Sequence, residues 1–248
     1  MDPAVLRDDM VDSLEHEAKR CVRSERLGVA MRQVPREAFV PDPYAYADRT
    51  GECHGTRVLS PSTAARLLEA LGAQPGDNVL VVGVGVGYTA AVLAEIVGAD
   101  QVQAIDIDRR LVYEARQNLE RAGYGQVLVD CLDGANGLRA YAPYDRILVE
   151  AAAIEPPPAL VDQLAAGGQL VLPLGGREQR LSIVAPRAEG PAVVDRQGTT
   201  TFGPMLVDGE QANTVERNRT RREDQEFARR ANDRRKGWEQ NWIDWDHL

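Results

Sequence analysis

Between residues 76 and 175 the chain alternates short apolar runs with longer stretches whose apolar positions recur at helical spacing. NVLVVG (78–83) is β-branched and bounded by turn residues, the pattern of a strand buried on both faces. YTAAVLAEIVG (88–98) follows as a helix closed by Gly98. QVQAIDI (101–107) is the next strand and RLVYEARQNLERAG (110–123) the next helix, closed by Gly123. QVLVD (126–130), YDRILVE (144–150) and GQLVLPLG (168–175) read as further strands, with a helix over PPALVDQLAAGG (157–168) between the last two. Strands alternating with helices predict an α/β fold, a Rossmann-like, doubly wound, mostly parallel sheet covered on both faces. A ligand then sits beyond the C-terminal strand ends, near where the strand order reverses.

Ahead of this core, residues 4–33 carry the periodicity of one or two amphipathic helices, and VPREAFVP (34–41) is a proline-bounded connector. After it, QRLSIVAP (179–186) and the stretch up to FGPMLV (202–207) read as closing strands in an antiparallel hairpin. The chain divides into a domain over 1–209, with a helical part at 1–75 and the Rossmann-like core at 76–209, and an extension over 210–248. That extension holds nine acids and nine basic residues, so the formal charge of −9 belongs to the preceding domain. Phe227, Ala231, Trp238, Trp242 and Trp245 recur there at helical spacing, one apolar stripe on a charged helix. Such a stripe fits packing on its own domain or self-association. Its arginines are interleaved with acids, which makes a solvated face the better reading than an RNA-binding arm.

Composition narrows the chemistry. At 248 residues the chain has room for one full α/β core. No apolar run approaches the roughly 20 residues that span a bilayer. The first twenty residues are acidic and interrupted, unlike a signal or transit peptide, which predicts a cytoplasmic protein. The acidic balance disfavours nucleic acid, which demands a basic footprint. Lys19 and Lys236 are the only lysines; such a composition suits a high-salt cytoplasm, or a GC-rich genome that writes Arg for Lys. Cys21, Cys53 and Cys131 lie far apart with no CxxC, against a disulfide framework or a zinc knuckle. Cys53 adjoins His54, but neighbours in sequence rarely hold the geometry of a nucleophile and its base. HExxH and GxSxG are absent, so hydrolase chemistry and a metal site have little support.

The first parallel strand ends in Gly83-x-Gly85-x-Gly87, followed by Tyr88. Glycines allow positive φ and let a ligand approach bare backbone. A dinucleotide favours G-x-G-x-x-G, and a P-loop ends in Gly-Lys-Ser/Thr; neither stands here. G-x-G-x-G after a buried strand suits a ligand without phosphates, S-adenosylmethionine. Asp106 ends the second strand, 19 residues past Gly87, where a carboxylate accepts from both ribose hydroxyls. Asp108 lies closer to the following helix and is better placed to cap it. Asp133 ends the third strand, where it can accept from the adenine amino group or simply form an Asp-Gly turn with Gly134.

With these residues placed, the chain resembles the protein-L-isoaspartate (D-aspartate) O-methyltransferases over most of residues 5–207, through AMRQVPREAFVP, YADRTGECHG, QPGDNVLVVGVGVGYTAAVLAEIVG, APYDRILVEAAA, LAAGGQLVLPLG and FGPMLV. The resemblance implies methyl transfer from S-adenosylmethionine to the α-carboxylate of L-isoaspartyl residues in damaged proteins, a repair reaction. It implies a donor site at Gly83, Gly85, Gly87, Tyr88, Asp106, Ile107, Asp133 and Gly134, and an acceptor site at His54, Gly55, Leu59 and Ser60. Two positions depart from the family pattern. Its acid just before the glycine loop is Val81 here; a lost charge-assisted hydrogen bond costs about 1.5–3 kcal/mol. Its serine beside the transferred methyl aligns with Leu59, and Ser60 falls one position later, on the opposite face of an extended segment unless the loop bulges. Ser60 is thus the candidate catalytic hydroxyl or the N-cap of the helix ahead, with Ser62 competing for the cap. A different acceptor for the same donor, or a weakly active binding homologue, are the alternatives these departures leave open.

Overall fold

The computed structural model describes residues 2–40, 45–187 and 190–207. The charged extension, with its expected helix and apolar stripe, lies outside the described residues.

Two helices open the chain, α1 (Pro3–Glu15), capped by Asp2, and α2 (Glu25–Gln33). Arg32 of α2 reaches Asp12 at 2.5 Å and Glu15 at 2.9 Å on α1. Exposed pairs of this kind are worth at most about 1 kcal/mol each. Burial of Met10, Val11 and Leu14 together with Leu27 and Met31 contributes more, since a fully buried aliphatic side chain is worth about 1.5–3 kcal/mol. The connector becomes a single 3₁₀ turn at Arg36–Ala38. A hairpin then follows that the residue pattern does not announce, β1 (Gly51–Cys53) with β2 (Thr56–Val58). Its two turn residues, His54 and Gly55, both take positive φ (50° and 80°), the requirement of a type I′ connection. Helix α3 (Pro61–Leu71) runs from Ser60 to Gly72, which is left-handed as a helix stop should be.

The core continues as β3 (Val79–Val82), α4 (Tyr88–Val97), β4 (Val102–Asp106), α5 (Arg109–Arg121), β5 (Leu128–Cys131), β6 (Tyr144–Val149), α6 (Pro158–Val161), β7 (Leu164–Leu174), β8 (Gln179–Ala185) and β9 (Ala192–Thr200). Seven strands lie in the order β5-β4-β3-β6-β7-β8-β9. The first five pair in parallel, and β8 and β9 close the sheet antiparallel, as the pattern predicts. FGPMLV is not one of the closing strands; it pairs through an isolated bridge from Pro204 to Ala152, in the segment that follows β6. The chain winds outward from β3 to β5 and then returns to place β6 on the other side of β3. Strand order therefore reverses between β3 and β6. Along β3, Val79 and Val81 join the apolar cluster built with α1 to α5, while Leu80 and Val82 join the other, with Ile105, Ile147 and Leu160. Double burial is why the strand reads as an unbroken apolar run.

One predicted element is replaced. The helix over 157–168 shrinks to the single turn α6, and β7 begins at Leu164. Local Leu-Ala-Ala sequence favours helix, but pairing with buried β6 wins. The register between β6 and β7 shifts at this point. Gly167 has φ 82°, and a Cβ on Gly168 would stand 2.8 Å from the Tyr144 carbonyl oxygen. The two glycines therefore serve an irregularity in the ladder and not a helix end.

Candidate active site

A cleft opens beyond the C-terminal ends of β3, β4 and β6, where the strand order reverses, and encloses about 1020 Å³ of empty space, part of it open to solvent. The glycine loop forms one side. Gly83, Gly85 and Gly87 have φ of 81°, 55° and 94°. Gly83 and Gly85 line the cleft, and their backbone is available to a ligand at close range. Gly87 serves packing instead. A Cβ there would lie 3.3 Å from Leu119 and 3.5 Å from Ala115, so its bareness lets α4 close on α5. Tyr88, the first residue of α4, lines the cleft.

Asp106 ends β4, 7% exposed, and lines the same side. Its Oδ2 accepts from the Gly85 N–H at 3.1 Å and its Oδ1 from the Asp108 N–H at 3.0 Å. The acid thus ties the glycine loop to the tip of β4. Burial pushes its carboxyl above the ordinary carboxylate range, and the N–H groups of Asp108 and Gly85 oppose the shift. Asp108 itself caps α5, accepting from the Arg110 N–H at 2.9 Å. Ile107 and Gly134 also line the cleft. A Cβ on Gly134 would collide with Val82, so strand tip and turn approach as only glycine allows. Asp133 Oδ1 accepts from the Ala135 N–H at 2.8 Å at the start of the 3₁₀ turn Gly134–Asn136, the turn that the Asp-Gly pair predicts.

Across the switch point stands Glu150, directly after β6, which the sequence pattern did not single out. It accepts a hydrogen bond from the Thr89 hydroxyl on α4. Burial pushes its carboxyl up to about 8; the Thr89 hydroxyl opposes this and the charge of Asp106 adds to it. Val81, where the family pattern has an acid, is 0% exposed and packs in the helix-side apolar cluster.

The remaining wall carries Thr56, Arg57, Val58 and Leu59 from β2 and the turn into α3, facing Phe202, Gly203, Pro204, Met205 and Leu206. Leu59 lines the cleft, whereas Ser60 is not part of its lining. Ser60 Oγ accepts from the Thr63 N–H at 3.3 Å and lies 2.9 Å from Thr63 Oγ1 and 3.2 Å from Ser62 Oγ. The hydroxyl is engaged in capping α3, and the cap falls to Ser60 and not to Ser62. Of the two roles open to Ser60, the hydrogen bonds show the cap, and Leu59 takes the neighbouring place in the cleft wall, as alternation along an extended segment requires. His54 and Gly55 also stand outside the lining, at the tip of the β1–β2 hairpin, where His54 Nε2 is 3.7 Å from Glu114 of α5.

A buried arginine holds this wall in place. Arg36 is 1% exposed; its Nε donates to the Ala45 carbonyl and an Nη to the Leu59 carbonyl, each at 2.6 Å. Its guanidinium lies 4.3 Å from the centroid of the Tyr88 ring. Both Arg36 and Glu150 were marked in the sequence only by unusual company. Arg36 sits with Glu37 in a connector whose other residues are apolar, and Glu150 follows a buried run as Asp106 does.

A glycine cradle and a strand-tip carboxylate at the reversal of a mostly parallel sheet define a Rossmann-like, S-adenosylmethionine-dependent methyltransferase. The model of the family described as protein-L-isoaspartate(D-aspartate) O-methyltransferase matches residues 7–211. The chain belongs to this family. A protein-L-isoaspartate O-methyltransferase of Aeropyrum pernix is 43% identical over 192 residues, covering 75% of this chain and 74% of the relative. One from Roseiflexus sp. is 39% identical over 224 residues, covering 88% and 98%. Among solved structures, a Plasmodium falciparum enzyme described as a putative member of the family, in complex with S-adenosyl-L-homocysteine, superposes with a TM-score of 0.71 at 21% identity over 81% of this chain and 98% of that one. Another protein-L-isoaspartate O-methyltransferase superposes at 0.70 with 28% identity, over 79% and 65%.

Proposed function

We infer that the chain methylates the α-carboxylate of L-isoaspartyl residues in damaged proteins, with S-adenosylmethionine as donor, as part of protein repair. The match of residues 7–211 to the family carries this reading, and the cleft supports it. When bound, S-adenosylmethionine supplies a methyl group activated by its sulfonium. Gly83 and Gly85 offer bare backbone to the donor, Asp106 accepts from the ribose hydroxyls, and Tyr88, Ile107 and Gly134 border the nucleoside, with Asp133 fixing the turn that presents Gly134. Val58, Leu59 and Phe202 give the acceptor side apolar surface, which strips water from an incoming carboxylate. A carboxylate is ionised near pH 7, so the cleft needs no strong base. Orientation alone can supply roughly 7–11 kcal/mol.

In this arrangement Ser60 acts through the backbone it fixes. Ser60→Ala is expected to cost about 1 kcal/mol of stability, the usual worth of an N-cap, and to leave kcat within a few-fold. A hundred-fold fall in kcat without a change in melting temperature would return the hydroxyl to direct chemistry.

The acceptor is tested by labelled methyl transfer to an isoaspartyl peptide beside its aspartyl twin, at low and at molar salt. Methylation confined to the isoaspartyl peptide is expected. A second reading, the same donor with another acceptor, draws on one observation, that Leu59 and not Ser60 lines this stretch of the wall; inactivity on both peptides with donor binding intact would favour it. We place the enzyme in the cytoplasm; no helix among the described residues is long and apolar enough to cross a membrane. Self-association through residues 210–248 remains a proposal from the sequence stripe, readable by light scattering of the full chain.

A further inference from the structure

Two carboxylates, Asp106 and Glu150, face one cleft, and among the described residues neither is held in an ion pair. The two arginines of the lining are committed elsewhere. Arg36 donates to the carbonyls of Ala45 and Leu59, and Arg57 to the carbonyl of Thr201. Asp106 is satisfied by two backbone N–H groups, whereas the one bond to Glu150 comes from a neutral hydroxyl. A carboxylate so weakly solvated and hydrogen-bonded is costly to ionise unless a cation meets it. The donor brings such a cation, the ammonium of its amino-acid end. Gly83 leads out of β3 and Glu150 out of β6, on the two sides of the strand reversal, with the Glu150 backbone within 4 Å of where a Gly83 Cβ would be. Asp106 stands beyond β3 on the ribose side.

We propose that Glu150 is the anionic anchor for the donor's α-ammonium group, supplied from β6 in place of the acid that Val81 displaces from β3. The proposal rests on the donor reading given above. Thr89 orients the carboxylate, and Asp106, Tyr88, Arg36 and Arg57 are the other titratable groups that border the cleft with it. Because the donor-free carboxyl holds its proton up to about 8, binding of the ammonium must release that proton. Affinity then rises with pH, up to tenfold per unit between pH 6 and 7.5, and levels off above 8.

Calorimetry with S-adenosylhomocysteine tests this, because its ammonium stays charged across that range. The wild type is expected to bind more tightly as pH rises and to release a proton, seen as a buffer-dependent enthalpy. Glu150→Gln, which keeps an acceptor for Thr89, is expected to lose 10- to 100-fold in affinity at pH 8 and to lose the pH slope. Methylthioadenosine, which lacks the amino-acid end, is expected to bind both proteins equally. Thr89→Val should move the midpoint of the wild-type pH profile upward. Unchanged S-adenosylhomocysteine affinity and slope in Glu150→Gln would overturn the proposal, as would an equal loss for methylthioadenosine. Failure of the wild type to bind either compound would instead overturn the donor reading itself.

Discussion

Asp106→Ala is expected to abolish measurable donor binding, with a loss of at least 100-fold in affinity by calorimetry. Two effects combine. The ribose hydroxyls lose a carboxylate acceptor, and each hydrogen bond to a charged group is worth about 1.5–3 kcal/mol. The glycine loop also loses its fastening, since Gly85 and Asp108 both donate their N–H to this side chain. Asp106→Asn separates the two, because the amide oxygen can still accept from one N–H while the charge is gone; an intermediate loss is expected. Affinity of Asp106→Ala within three-fold of the wild type would mean that the nucleoside does not sit on β4.

Arg36→Ala is expected to produce the largest loss of stability of any single change near the cleft. The substitution leaves the carbonyls of Ala45 and Leu59 without their donor, removes the cation from the Tyr88 ring, and empties the volume of a fully buried side chain. Unpaired buried acceptors cost about 1–3 kcal/mol each, so the total is about 3–5 kcal/mol. In a domain of this size that lowers the melting temperature by roughly 10 °C or more. Arg36→Met restores most of the volume but not the donors, and should recover only part of the loss. Arg36→Lys should not recover it fully, because one ammonium does not reproduce the fork that reaches both carbonyls. A melting temperature of Arg36→Ala within 2 °C of the wild type would contradict this account of how the acceptor wall is held.

The parallel core was legible because burial on both faces writes itself as β-branched runs such as VLVV, and because Gly98 and Gly123 close the intervening helices. Asp106 could be told from a helix cap by counting, since Asp108 stood two residues closer to α5, and the hydrogen bonds divide in that way. Where tertiary pairing overrides local preference, pattern fails. The Leu-Ala-Ala-Gly-Gly stretch joins β7, and only the neighbouring strand dictates that. The β1–β2 hairpin was invisible because a His-Gly turn is a weak signal beside Asn-Gly, and three-residue strands carry too few positions for alternation to show. Ser60 shows the limit at the level of one residue. Sequence alone could not choose between a cap and a reacting hydroxyl, and the choice depends on whether the chain between Leu59 and Pro61 bulges. Glu150 was missed because an acid after a buried strand gains meaning only when the sheet order places it across from the glycine loop.

The central claim, that a nucleoside donor is held between the glycine loop and the acid at the tip of β4, is tested most directly by a crystal structure with S-adenosylhomocysteine. Both ribose hydroxyls are expected on Asp106, the base beside Ile107 and Gly134, and the amino-acid end toward Glu150. A nucleoside seated elsewhere, with the carboxylate of Asp106 still bonded to nothing but Gly85 and Asp108, would contradict it.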